Sequence, residues 1–226
     1  HKFIRCRSYY RFKQLSRKGN KDNMVVNYVG TERCDIIYYL LRIAKNLKIN
    51  VLAVDNSITG DLYSIFDKHG NDNVEEYGTV TVMRNKQVGL EEAQKYEAVI
   101  VYEGLYARYN NYRNITIFAP SENQSEWKLM TPFKEYLYDS KVYCILRNAV
   151  TNKTSEKSLE ADFDMKFEGY MADGMNDTGY SEYIRLLINK DGRLPKKTAV
   201  ADIVMELLPI IFKIEDERYL KKILYK

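Results

Sequence analysis

Three groups of residues carry side chains that could do chemistry. The first is Gly30-Thr-Glu-Arg-Cys-Asp35, a loop holding a glycine, a cation and a thiol between an apolar run and a helical pattern. A strand-to-helix junction of this kind presents backbone N–H groups to an anion, so a phosphate is the expected ligand chemistry. Cys34 at the helix N-terminus is expected to have a lowered pKa, although no neighbouring histidine supports catalysis by it. The second group is acidic. Asp55 ends an apolar run and forms, in the simpler reading, a capped turn with Asn56 and Ser57. Glu103, Asp173 and Asp177 read as solvated loop charges near the same expected edge. The third group is basic: Arg5, Arg7, Arg11 and Lys13 alternate with Phe3, Tyr9, Tyr10 and Phe12. Such an arm suits phosphates and stacked bases, or an acidic protein face. The simpler reading is a solvated lead-in or the tail of an upstream element, and its alternation would also fit an edge strand. Trp127 with Leu129, Met130 and Phe133 is either an apolar patch for a partner or helix core.

The elements that must position these residues follow a strand-then-helix rhythm. Apolar runs at Met24–Val29, Val51–Val54, Val80–Met83, Ala98–Tyr102, Asn114–Ala119, Val142–Leu146 and Met165–Tyr170 are short enough for buried strands. Between the first two, Ile36, Ile37, Leu40, Leu41, Ala44 and Leu47 line one helical face, making a βαβ unit with parallel strands. Further helices are expected at Leu62–Phe66, Leu90–Lys95, Glu122–Asp139, Ser181–Asn189 and Ala199–Phe212, with Pro209 bending the last of these. Glu215–Lys226 is an amphipathic helix or charged tail. Asn152–Ala161 reads as a polar connection. The pattern predicts an α/β fold: a three-layer α/β/α, Rossmann-like domain with a mostly parallel sheet of about seven strands. Residues 1–22 form a basic arm, and 23–226 a single domain.

Composition narrows the class. The chain has 226 residues, 45% of them hydrophobic, enough for one large packed core, and no apolar run approaches the length of a membrane span. Three isolated cysteines (Cys6, Cys34, Cys144) without CxxC spacing indicate reduced thiols and a cytoplasmic location. Two histidines leave no zinc constellation. Of the 35 Lys and Arg, eight fall in residues 1–21, which hold no acid, so the remainder is net acidic.

The order of these features resembles the MinD/ParA-like (SIMIBI class) P-loop ATPases over roughly residues 23–212. In that family the first strand leads into K-G-G-x-x-G-K-[ST]. The second strand ends in aspartate, as Val51-Leu-Ala-Val-Asp55 does. A later strand carries the Walker B aspartate, where Glu97-Ala-Val-Ile-Val-Tyr102 stands here. Ile115-Thr-Ile-Phe-Ala-Pro120, Val142-Tyr-Cys-Ile-Leu-Arg-Asn148 and Asp191-Gly-Arg-Leu194 occupy the places of the remaining landmarks. The resemblance implies a P-loop NTPase type of fold, with a nucleotide site at Gly30, Thr31, Arg33, Cys34, Asp55 and Asn148, the last as a base contact. The loop departs from the family pattern at chemically distinct points. Only Gly30 matches; Glu32 stands in place of a glycine, Arg33 of the phosphate lysine and Cys34 of the hydroxyl that holds Mg²⁺. A neutral thiol is a poor ligand for that cation. Tyr102 replaces the Walker B aspartate, with Glu103 one position late.

These departures lead to the expectation of a pseudo-ATPase that retains the fold, with no catalytic residue, no metal and no bound ATP/Mg. The function expected from the resemblance is a bacterial localisation or assembly scaffold, related to the pilus-positioning proteins of the Tad type. It would work as a homodimer or with a protein partner. Two other classes stay open: an ATPase switch with a variant loop built on Arg33, Asp55 and Glu103, and a nucleic-acid binder using Arg5, Arg7, Arg11 and Lys13.

Overall fold

The computed structural model describes residues 23–66, 73–105, 113–131, 137, 140–150, 154–174, 178–214, 216 and 219–220. The basic arm with Arg5, Arg7, Arg11 and Lys13, together with Phe133, Asp177 and most of the 215–226 tail, lies outside them. The strands are β1 Met24–Gly30, β2 Val51–Asp55, β3 Val74–Tyr77, β4 Val80–Arg84, β5 Ala98–Gly104, β6 Ile115–Ala119, β7 Lys141–Ala149 and β8 Gly169–Gly174. The helices, numbered in chain order, are α1 Asp35–Leu47, α2 Asp61–Phe66, α3 Leu90–Ala93, α4 Gln124–Met130, α5 Glu156–Phe163, α6 Thr178–Asn189 and α7 Ala199–Phe212.

The eight strands form one sheet in the order β3-β4-β2-β5-β1-β6-β7-β8. Every neighbouring pair is parallel except β3–β4. Parallel strands are covered on both faces, which is why their sequences are nearly continuous apolar runs rather than alternating ones. On one face Val26, Tyr28, Ala53, Ile100, Ile117 and Ile145 pack against α1, α2, α6 and α7. On the other, Phe118, Cys144 and Leu146 meet Leu159 and Phe163 of α5, while Val25, Leu52 and Val99 meet Val88 and Ala93. Helix α1 shows why its sequence chooses this place: Ile36, Ile37, Leu40, Leu41 and Ala44 are all buried. β1 lies between β5 and β6, with β2 reached on one side and β6 on the other. The chain thus reverses direction about β1, and the crevice beyond the carboxyl ends of the strands at such a reversal is where doubly wound sheets hold ligands.

The fold corrects three expectations. The sheet has an eighth strand, β3, in the stretch between Asp55 and Val80 where no strand was expected; it is an antiparallel edge joined to β4 through Gly78 at φ +70°. Its sequence, Val74-Glu-Glu-Tyr77, lacks an apolar run because an edge strand is half solvated. The connection 152–161 contains α5, capped by Ser155, whose hydroxyl accepts from Ser158 N at 3.2 Å, and anchored by Leu159 and Phe163. The last strand is therefore displaced from 165–170 to Gly169–Gly174, and Met165 packs with α5 instead. Pro209 lies inside α7, which continues to Phe212.

Candidate functional site

The loop after β1 is closed upon itself and upon the ends of three other strands. Gly30 has φ +140°, and a Cβ there would lie 2.2 Å from the carbonyl oxygen of Ala119. A glycine is required so that β1 can approach the end of β6. Three backbone N–H groups of the loop and the first helical turn are bonded within the protein. Thr31 N donates to Ala119 O and Arg33 N to Thr31 O, both at 2.8 Å. Ile36 N, in the first turn of α1, donates to Asp35 Oδ1 at 2.9 Å. The Thr31 hydroxyl donates to Glu126 Oε2 at 3.0 Å, and Ser121 Oγ donates to the same oxygen at 2.8 Å.

Arg33 points inward. Its guanidinium donates to Asp35 Oδ2 at 2.5 Å, Asp173 Oδ2 at 2.8 Å and Asn148 Oδ1 at 2.9 Å. Arg147 donates to Asp35 Oδ1 and stands 3.5 Å from Asp173 Oδ2. The four side chains form a buried quartet of two guanidiniums and two carboxylates; even the most accessible, Arg33, is only 2% exposed. Tyr180 and Tyr183 of α6 cover it, with the Arg33 guanidinium 5.1 and 5.2 Å from their ring centroids, within cation–π range. Local backbone explains the convergence. Between Leu146 and Ala149 the β7–β8 register shifts, and Asn148 takes φ +54°. Such an irregularity re-aims side chains at a strand end, here toward the β1–α1 loop. Burial alone would raise the pKa of Asp35, but Arg147 and then Arg33 outweigh it and hold the carboxyl below its usual range.

A second corner of the same edge lies beside this one. Asp55, at the end of β2, accepts from Ser57 N at 3.0 Å, Ser57 Oγ at 2.5 Å and Tyr63 N at 2.8 Å. It is thus the capped turn its neighbours Asn56 and Ser57 predict, extended to the first turn of α2. Burial raises its pKa, and these donors only partly offset that. Asn56 bridges to Lys86 through both amide atoms and faces Glu103 Oε1 at 3.5 Å.

Several readings of single residues change. Glu103 and Asp173 are not solvated loop charges: they are 1% and 0% exposed, in β5 and β8. Cys34 is no activated thiol. It is fully buried; burial first, then the nearby Asp61 and Asp35 charges, push its pKa well up. The helix-end effect assumes a partly solvated thiolate, and none can form cheaply here. Tyr102 is buried against Tyr28, ring centroids 5.3 Å apart. Trp127 is half-buried: its Nε1 donates to Ser121 O at 2.6 Å and its ring packs on Phe163. Leu129 is 37% exposed and Met130 is core. Of the residues expected at a nucleotide site, Arg33 and Asn148 touch one another, Thr31 and Cys34 flank them, and Asp55 belongs to the adjacent corner. Asp35, Arg147, Tyr180 and Tyr183 were not singled out by sequence. A signal existed for Arg147, a cation directly following the apolar run Val142–Leu146. No group of three His, Cys, Asp or Glu among the described residues is arranged for a metal ion.

In strand order and layering the chain has a MinD/ParA-like fold, as two solved structures show. A ParA family ATPase from Chlorobium tepidum TLS superposes with a TM-score of 0.60 at 12% identity, over 83% of this chain and 98% of the other. The MinC:MinD cell division protein complex of Aquifex aeolicus gives a TM-score of 0.54 at 10% identity, over 82% of this chain and 96% of the matched one. No family model matches the sequence, and no curated protein does. No helix among the described residues is long and apolar enough to cross a membrane.

Proposed function

We propose that the chain is a non-catalytic localisation or assembly scaffold of MinD/ParA-like fold, acting through a protein partner or a second copy of itself and without Mg-ATP. The observation that carries this reading is the internal use of the loop's binding groups. Thr31 N, Arg33 N and Ile36 N are bonded within the protein, and the Arg33 guanidinium is neutralised by Asp35 and Asp173. A phosphate needs those donors free and a cation in reach. Cys34 offers Mg²⁺ only a buried, neutral thiol. The residues present therefore do not fit ATP with Mg²⁺, and no hydrolytic step is assigned. A protein partner is supported by analogy with the MinC:MinD complex, in which a chain of this fold is part of a protein assembly.

Calorimetric titration of the full chain with ATP and ADP, with and without Mg²⁺, tests the reading. No heat and no rise in Tm at millimolar nucleotide are expected. Binding at micromolar concentration would overturn it and make the loop a variant switch.

A further inference from the structure

Within the quartet the two carboxylates are used differently. Asp35 gives one oxygen to each arginine, Oδ2 to Arg33 and Oδ1 to Arg147. Asp173 presents a single oxygen, Oδ2, to both, at 2.8 and 3.5 Å. The donors outnumber what this arrangement takes up. A guanidinium carries five N–H groups in a fixed fork. Among the described residues, Arg33 Nε, Arg147 Nε and one terminal nitrogen of Arg147 are buried and meet no hydrogen-bond partner. Arg147 is 0% exposed, so these are donors withdrawn from water and aimed into the interior. The quartet also sits where the topology favours ligands, at the carboxyl ends of β7 and β8 and against the β1–α1 loop.

We infer that Asp173 is the built-in occupant of a two-arginine oxyanion site formed by Arg33 and Arg147, which takes a free carboxylate-sized oxyanion once that side chain is removed. Deleting the Asp173 carboxylate leaves two buried cations facing one carboxylate. An unbalanced buried charge is strongly unfavourable, so an external anion should be recruited in its place. Asn148 Oδ1 already accepts from Arg33 and would stay outside the anion's first contacts. Tyr180 and Tyr183 roof the Arg33 side. The inference rests on the reading of this loop as filled by its own side chains, but its test is independent: nucleotide binding is read in the wild type, oxyanion binding in a variant.

The experiment is thermal unfolding of the full chain as wild type, D173A and the double variant R33Q/D173A. Each is measured in chloride and in rising sodium formate at constant ionic strength, so that general screening is matched. D173A should melt below wild type in chloride and regain stability saturably with formate. At about ten times the dissociation constant the gain should be about 3–6 °C for a chain of this size. Wild type should not respond, and the double variant should lose the response. If D173A is unfolded in chloride, formate should restore its folding; D173N, which keeps the side-chain volume, should fold and respond less. An unresponsive D173A, an equal shift in wild type, or an undiminished response in R33Q/D173A would overturn the assignment and leave Asp173 a structural counter-ion.

Discussion

Two corners of one sheet edge bury carboxylates by opposite means. At the ends of β7 and β8, Asp35 and Asp173 are matched by Arg33 and Arg147. At the ends of β2 and β5, Asp55 is held by a hydroxyl and two backbone N–H groups, and no cation among the described residues pairs with it. Both aspartates are fully buried, so the difference in their titration does not come from depth. Asp35 is held below the ordinary range and Asp55 above it. Hydrogen bonds moderate the cost of burying a charge, whereas two guanidiniums reverse it. The arginine corner lies at the carboxyl ends of β7 and β8, where its two cations hold the protein's own strands and the β1–α1 loop together.

The sharpest way to break this comparison is to remove the cation from the first corner. Arg147→Met keeps the stem and leaves Asp35 and Asp173 with one arginine between them. Breaking a buried pair in this way costs about 3–5 kcal/mol, to be read from urea unfolding. Ser57→Ala at the second corner removes one neutral donor to Asp55 and should cost about 1 kcal/mol. Equal losses would show that the two corners do not differ in the way described. Between these two lies the effect expected from the backbone. Gly30→Ala places a Cβ against the main chain of Ala119 at φ +140°, and strained dihedrals alone cost about 1–3 kcal/mol. Gly104→Ala also takes a positive φ, +69°, but the atoms nearest its Cβ belong to the movable side chain of Glu32 rather than to main chain, so it should be milder. If it is not, the close approach of β1 to β6 is not what fixes the loop.

The parts of this molecule that sequence revealed are those governed by local pattern. Val51–Asp55 and Ala98–Tyr102 are apolar because each is buried on both faces, and Ile36–Leu47 is helical because its apolar residues share a face. The parts that were hidden depend on distant pairing. β3 has the sequence of a solvated turn until β4 supplies its ladder, and α5 buries just two apolar side chains, Leu159 and Phe163, among its polar ones. At the site, the departures from the phosphate-loop pattern were visible at Glu32, Arg33 and Cys34. That Arg33 turns inward was not, because its partners lie 115 and 140 residues away at Asn148 and Asp173. Asp173 was misplaced with the strand that carries it: the last strand was expected four residues too early, and with the strand at Gly169–Gly174 a loop acid becomes a strand residue with a buried charge.

The finest test of the two corners is the pH dependence of stability, where they should oppose each other. Asp35 has a folded pKa below that of the unfolded chain, about 3.9. Its contribution is therefore complete above that value and is lost as pH falls through the folded pKa. Asp55 has a raised folded pKa, so its contribution is present below about pH 3.9 and is lost as pH rises through the folded value. Asp55→Asn deletes the second dependence alone. Its stability relative to wild type should improve as pH rises from about 4 toward neutrality. Asp35→Asn should behave in the opposite sense, with a deficit that is constant near neutrality and shrinks as the pH falls below about 4. Urea unfolding of the three proteins across this range reads both slopes. Parallel curves would mean that Asp35 and Asp55 titrate alike, and that the arginines of the first corner serve packing rather than charge.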